Sequence, residues 1–149
     1  MNLQTLQAML VKQGVMLGGL VPEQRAAALA VVWAGLPDGV MSEKQINEAL
    51  KQRLGAAAQF IDTDHVELRR WLVDTGFLQR DGFGREYLRQ QLTDLPEPCR
   101  LMAEVLPHLD VDAWADGLRR QHARQREGRR LAWEEQQKAV ANDGGQKPR

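Results

Sequence analysis

Apolar positions recur along this chain at helical spacing, and glycines and prolines interrupt them where elements should end. Leu3, Leu6 and Leu10 make a first short stripe, with Gly14 as its stop. After Gly18-Gly19, Pro22 opens a stronger helix, PEQRAAALAVVWAGL, because a first turn does not need the N–H that proline lacks. Leu29, Val32, Trp33 and Leu36 share one side, alanines fill the flanks, and Pro37-Asp38-Gly39 ends the run. Ser42 with Gln45 reads as a capping box for a helix that buries Ile46, Ala49, Leu50 and Leu54 before Gly55. An alanine-rich connection, Ala56–Phe60, leads to Asp64 and Glu67, a D-x-x-E helix start. Leu68, Trp71 and Leu72 give that helix one buried stripe, and Gly76 stands where a left-handed residue would stop it.

Two short runs follow, Phe77–Arg80 and Arg85–Arg89, around Asp81-Gly82-Phe83-Gly84, the pattern of a β-hairpin. Farther on, Asp94 and Glu97 mark another helix start. Cys99, Met102, Val105 and Leu106 supply its stripe, and Pro107 cuts it off. Asp110 and Asp112 suit the positive end of a last helix that begins with Val111, Trp114 and Leu118. From Arg119 to Arg130 that helix has no apolar side chain larger than Ala123, and Leu131 and Trp133 then restore the apolar signal. Gly128 costs a helix interior about 1 kcal/mol against alanine, so fraying or a break is expected there. The tail from Asn142 is expected to be disordered.

A helix followed at once by a small hairpin is the recognition helix and wing of a winged helix-turn-helix. The predicted fold is therefore mainly α with a small β-hairpin. An N-terminal helix occupies 1–19, the winged-helix domain 20–90, a C-terminal helical extension 91–141, and a disordered tail 142–149. Asp64, Leu68-Arg69-Arg70, Leu72-Val73-Asp74, Gly76, Leu78, Arg80 and Tyr87, with Glu43 and Ile46–Leu50 upstream, carry a resemblance. Over about residues 20–90 the chain resembles a small bacterial domain family of unknown function, found alone or fused to ArsR-type winged-helix regulators. That resemblance implies a fold and DNA binding, and no known activity.

Composition narrows the classes. With 43% hydrophobic and 27% charged residues the chain can build a core and stay soluble. No apolar run approaches the roughly 20 residues that span a bilayer, and no basic-then-apolar leader opens the chain. One cysteine, Cys99, excludes an internal disulfide and fits the reducing cytoplasm. Net charge is zero, but it is unevenly spread. Residues 1–90 balance 10 basic against 10 acidic groups, 91–118 carry −5, and 119–149 carry +5.

The candidate chemistry is electrostatic. Arg70 points away from the Leu68–Trp71–Leu72 stripe, where a guanidinium can reach base edges or phosphates. Arg69, on its flank, can do the same or pair with a nearby acid and lock the helix. Arg80 and Arg85 flank the turn, where wing arginines bind phosphates or a minor groove, or else form cross-strand ion pairs with Asp81 and Glu86. Arg119, Arg120 and Arg124 open a segment of six arginines and one glutamate over 119–130. Such a run gives salt-dependent phosphate binding, unless it is a solvated face or docks on the acidic block. Trp114 and Trp133 are packing anchors or dimer contacts. No zinc spacing, calcium loop, phosphate loop or nucleophile elbow is present, so no enzyme, metal or cofactor is expected.

These residues lead to a DNA-binding transcriptional regulator acting on double-stranded DNA as a homodimer, with Leu3, Leu6, Leu10, Trp114 and Trp133 as candidate contacts between copies. The alternatives are a non-catalytic protein-interaction adaptor on the same fold, or RNA binding through the arginine-rich helix.

Overall fold

The computed structural model describes residues 2–106 and 110–145. Its centre is α2, Pro22–Ala34, in which every residue from Ala26 to Trp33 is buried. Because four of those eight are alanines, other elements can approach the α2 backbone from several sides. α1 (Leu3–Leu10), α3 (Glu43–Leu54), α4 (His65–Asp74) and α5 (Glu97–Glu104) all pack on it. One apolar cluster joins Leu6 and Leu10 of α1, Ile46 and Leu50 of α3, Leu68 and Leu72 of α4, and Cys99 and Met102 of α5. Leu6 and Leu10 are thus spent inside the chain and cannot serve as contacts between copies.

The helix starts follow their caps. Ser42 Oγ accepts from Gln45 N at 3.1 Å, and Gln45 Oε1 accepts from Ser42 N at 2.8 Å, closing the capping box of α3. Asp64 Oδ1 accepts from Glu67 N at 2.8 Å at the start of α4. Gly76, with φ +88°, turns the chain out of α4. A Cβ there would also stand 2.9 Å from Pro96 Cγ, so glycine is required twice over.

The hairpin is present, but it is part of a larger sheet. β2 (Leu78–Arg80) and β3 (Glu86–Arg89) pair antiparallel, and β1 (Val40–Ser42) pairs with the other edge of β3, Met41 opposite Tyr87. The order is β1-β3-β2. β1 escaped the sequence reading because it is three residues long, buries only Met41, and overlaps the cap of α3. In the turn, Asp81 Oδ1 accepts from Arg85 N at 2.8 Å, and it is Gly84, not Gly82, that takes the left-handed conformation.

Two C-terminal expectations change. Asp94 lies in a 3-10 turn and does not cap α5, which starts after Pro96 with no side-chain cap. The last helix, α6, runs unbroken from Val111 to Gly145, 35 residues, so Gly128 does not break it and the helix extends past Asn142. One glycine's penalty is small beside the strong helix formers around it and the pairing of Arg130 with both Glu127 and Glu134 one turn away. The expected stop at Pro107 and the tail beyond Gly145 lie outside the described residues.

Candidate nucleic-acid interface

The outer face of α4 meets the β2–β3 hairpin in a shallow cleft of about 170 Å³, walled by Val66, Arg69, Arg70, Val73 and Asp74 from the helix and by Arg80 and Tyr87 from the sheet. Helical spacing puts residues 66, 70 and 74 on one line, opposite the buried Leu68 and Leu72. Arg70 is exposed and forms no ion pair with any described residue, and the same holds for Arg80 and Arg85. Asp81, which stands between the hairpin arginines in sequence, points its carboxylate at backbone amides instead. The bond from Arg85 N holds its pKa below the ordinary 3.8.

Arg69 also lines the cleft, but its guanidinium is committed to other residues. Its Nη1 donates to Asn47 Oδ1 at 2.7 Å and approaches Glu43 Oε1 at 3.5 Å, and its guanidinium lies 5.3 Å from the Tyr87 ring centre. Of the two readings of Arg69, the geometry is that of a tie joining α3, α4 and β3. Arg89, at the far end of the hairpin, is also turned inward. It donates to Trp33 O at 2.8 Å, pairs with Asp38 at 2.9 Å, and stacks 4.0 Å from the Trp33 ring centre.

The arginines of α6 divide similarly. Arg119 donates to Leu10 O at 3.1 Å, Ala56 O at 3.3 Å and Ala57 O at 2.6 Å, bolting α6 to α1 and to the Ala57–Phe60 turn. Burial lowers its pKa, against the opposing pull of Asp116 and Asp112. Arg120 pairs with Asp116 at 2.5 Å on the solvent side. Arg124 is exposed with no partner among the described residues, as are Arg126 and Arg129. Among the described residues the acidic block forms one ion pair with the basic segment, Asp116 with Arg120, at the root of the helix.

That root holds a residue whose role sequence reasoning missed. Arg53, with a side chain only 7% exposed, makes a two-pronged ion pair with Asp112, Nη1 to Oδ1 at 2.9 Å and Nη2 to Oδ2 at 2.5 Å. Asp112 also accepts from Ala57 N at 3.1 Å. The Arg53 bonds, first of all, hold its pKa below the ordinary 3.8. No sequence signal marks this pair, whose partners are 59 residues apart.

Trp114 is half-buried against the core, whereas Trp133 is 60% exposed. Cys99 is buried, lies 3.5 Å from Thr75 O, and has its pKa raised by burial, the setting of a packing group. Among the described residues no three His, Cys, Asp or Glu side chains are grouped to hold a metal, and no helix is long and apolar enough to cross a membrane.

Residues 21–89 match the profile of a bacterial family described as "Uncharacterized protein conserved in bacteria (DUF2087)", which takes in the chain from the start of α2 to the end of β3. No curated protein and no solved structure matches the chain.

Proposed function

We propose that residues 21–89 form a winged helix-turn-helix, and that the protein is a cytoplasmic transcriptional regulator binding double-stranded DNA. In this reading α4 enters the major groove, Arg70 reaches base edges, and Arg80 and Arg85 hold the backbone from the wing. Arg124, on the projecting part of α6, adds phosphate contacts. One observation carries the proposal: Arg70 and Arg80, from two different elements, line the same cleft, and neither is bonded to another described residue. The element order also supports it, with α3 and α4 preceding a hairpin whose inner strand is backed by β1. So does the resemblance to domains that occur alone or fused to ArsR-type regulators.

Arg69 leaves the contact set and becomes a positioning residue, because its guanidinium is held by Asn47 and Glu43. Arg119 leaves it for the same reason, and Arg120 enters only if DNA displaces Asp116. The test is retention on a nonspecific duplex across a salt gradient. The expected outcome is binding that weakens steeply with salt, and a further loss of at least about tenfold in Arg70→Ala plus Arg80→Ala, since each phosphate contact releases counterions. Equal binding by that double variant refutes this use of the cleft.

A second reading has its own observation. Glu67, Asp74 and Glu86 are exposed on or beside the same face and offset its arginines, which suits a protein partner better than a phosphate backbone. Absence of duplex retention even at low salt selects this adaptor reading.

A further inference from the structure

A second concave surface lies between the end of α1 and the first exposed turns of α6. It is a groove of about 490 Å³, and no acidic side chain lines it. Lys12 enters from the end of α1, and His122 and Arg126 enter from α6, where a spacing of four residues puts them on one face. Arg119, one turn earlier, forms the back wall.

Three features distinguish this groove from an ordinary solvated basic face. First, the nearest acids of α6 are committed elsewhere: Asp116 to Arg120, and Glu127 and Glu134 to Arg130. Lys12 and Arg126 therefore have no ion-pair partner among the described residues. Second, Arg119 covers the Leu10 carbonyl, one of the acceptors at the negative end of α1 that would otherwise repel an anion. Third, the wall supplies neutral donors. With its oxygen toward Arg119, the Gln59 amide accepts at 3.1 and 3.2 Å, which leaves its NH2 free to donate, and Gln13 adds a second amide.

We propose that this groove binds a phosphate-bearing small molecule, the phosphate between Lys12, His122 and Arg126 and the organic body against Val11 and Ala123. The size decides for an ester over a bare anion, because the volume falls in the range of small-molecule sites, about 300–1,000 Å³. Charge-assisted hydrogen bonds from Lys12 and Arg126 to one phosphate are of the strong class, and the His122 imidazole adds a ring donor. This site is separate from the α4–hairpin cleft and does not depend on it.

The experiment uses the full chain, with AMP as ligand and adenosine as the uncharged control, followed by calorimetry and by amide shifts in NMR spectra. The expected result is saturable AMP binding with Kd at or below about 1 mM, roughly 4 kcal/mol, and none by adenosine. Amide shifts should centre on Lys12, Gln59 and His122. Lys12→Gln plus Arg126→Gln, both at exposed positions, should keep the fold and weaken AMP at least about tenfold. Arg70→Ala plus Arg80→Ala should leave AMP binding unchanged, which separates this site from the duplex site. No saturable AMP binding, binding undiminished in the Lys12/Arg126 variant, or shifts at these residues with a duplex but not with AMP would each overturn the proposal.

Discussion

At the scale of single residues, the decisive question about each arginine is whether its charge faces solvent or is spent inside. Arg53 is the extreme case. Its side chain lies across Gly35, where a Cβ would stand 1.9 Å from Nη1 and 2.9 Å from Cδ. Any side chain at position 35 must push the guanidinium off Asp112. Gly35→Ala should therefore lower stability by about 2 kcal/mol, the cost of leaving hydrogen-bonded charged groups poorly satisfied, discounted because Asp112 is 37% exposed. Urea unfolding measures it. In an Arg53→Met background the same Gly35→Ala change should cost little, since the group that it displaces is gone; an equal cost in both backgrounds would place the strain elsewhere. Nothing local in the sequence announces this: Arg53 stands in the last turn of an amphipathic helix, where arginine is ordinary, and Gly35 near an expected helix end.

Among the elements, α6 depends most on a few polar ties. Among its described residues only Val111 and Ala115 are buried, with Trp114 and Leu118 half-buried, so Asp112 and Arg119 carry much of its attachment. The Asp112 pKa is lowered from 3.8 by Arg53, so the stabilisation is fully present above that value and is lost as pH falls through the lower, folded-state value. The amide of Ala57, which donates to Asp112, should lose hydrogen-exchange protection on acidification below about pH 3.8, before the α2–α4 core does. Asp112→Asn should remove that pH dependence; persistence of the acid step in Asp112→Asn would assign it to another group. The capped elements were legible beforehand because their signals are local: Ser42 and Gln45, Asp64, and Gly76 each act within a few residues. β1 and the unbroken α6 were not, for opposite reasons. β1 is too short to show a period and exists only because β3 pairs with it. α6 outlasts its apolar stripe because propensity and side-chain pairs one turn apart sustain a helix that has no core to face.

For the whole molecule, a formal charge of zero conceals a surface with its own distribution. Arg25 donates to Leu17 O and Leu20 O, and with Arg53, Arg69, Arg89 and Arg119 it is held by internal partners. The arginines left without a partner among the described residues lie on α4 and the hairpin and along α6, and that division is invisible to composition because five of the arginines look alike until the fold assigns each a neighbour. α6 extends about 50 Å at 1.5 Å per residue, most of it beyond the domain. Its docked stripe of Val111, Ala115 and Leu118 ends at the polar run 119–130, beyond which Trp133 and Val140 return near the same side at helical spacing, 60% and 65% exposed. If the proposed regulator acts as a homodimer, Trp133 and Val140 are where a second copy would pack. A chain ending at Ala123 tests both roles of the projection. It retains Arg53–Asp112 and all the Arg119 bonds, so its melting temperature should stay within a few degrees of the full chain's under dilute conditions. Light scattering should find it monomeric where the full chain is dimeric. Its duplex affinity should show a salt slope shallower by about 2–3 per protomer, because Arg124, Arg126 and Arg129 go and each contributes roughly 0.9. A truncated chain that remains dimeric places the contact elsewhere on the domain, and an unchanged slope removes α6 from the DNA interface.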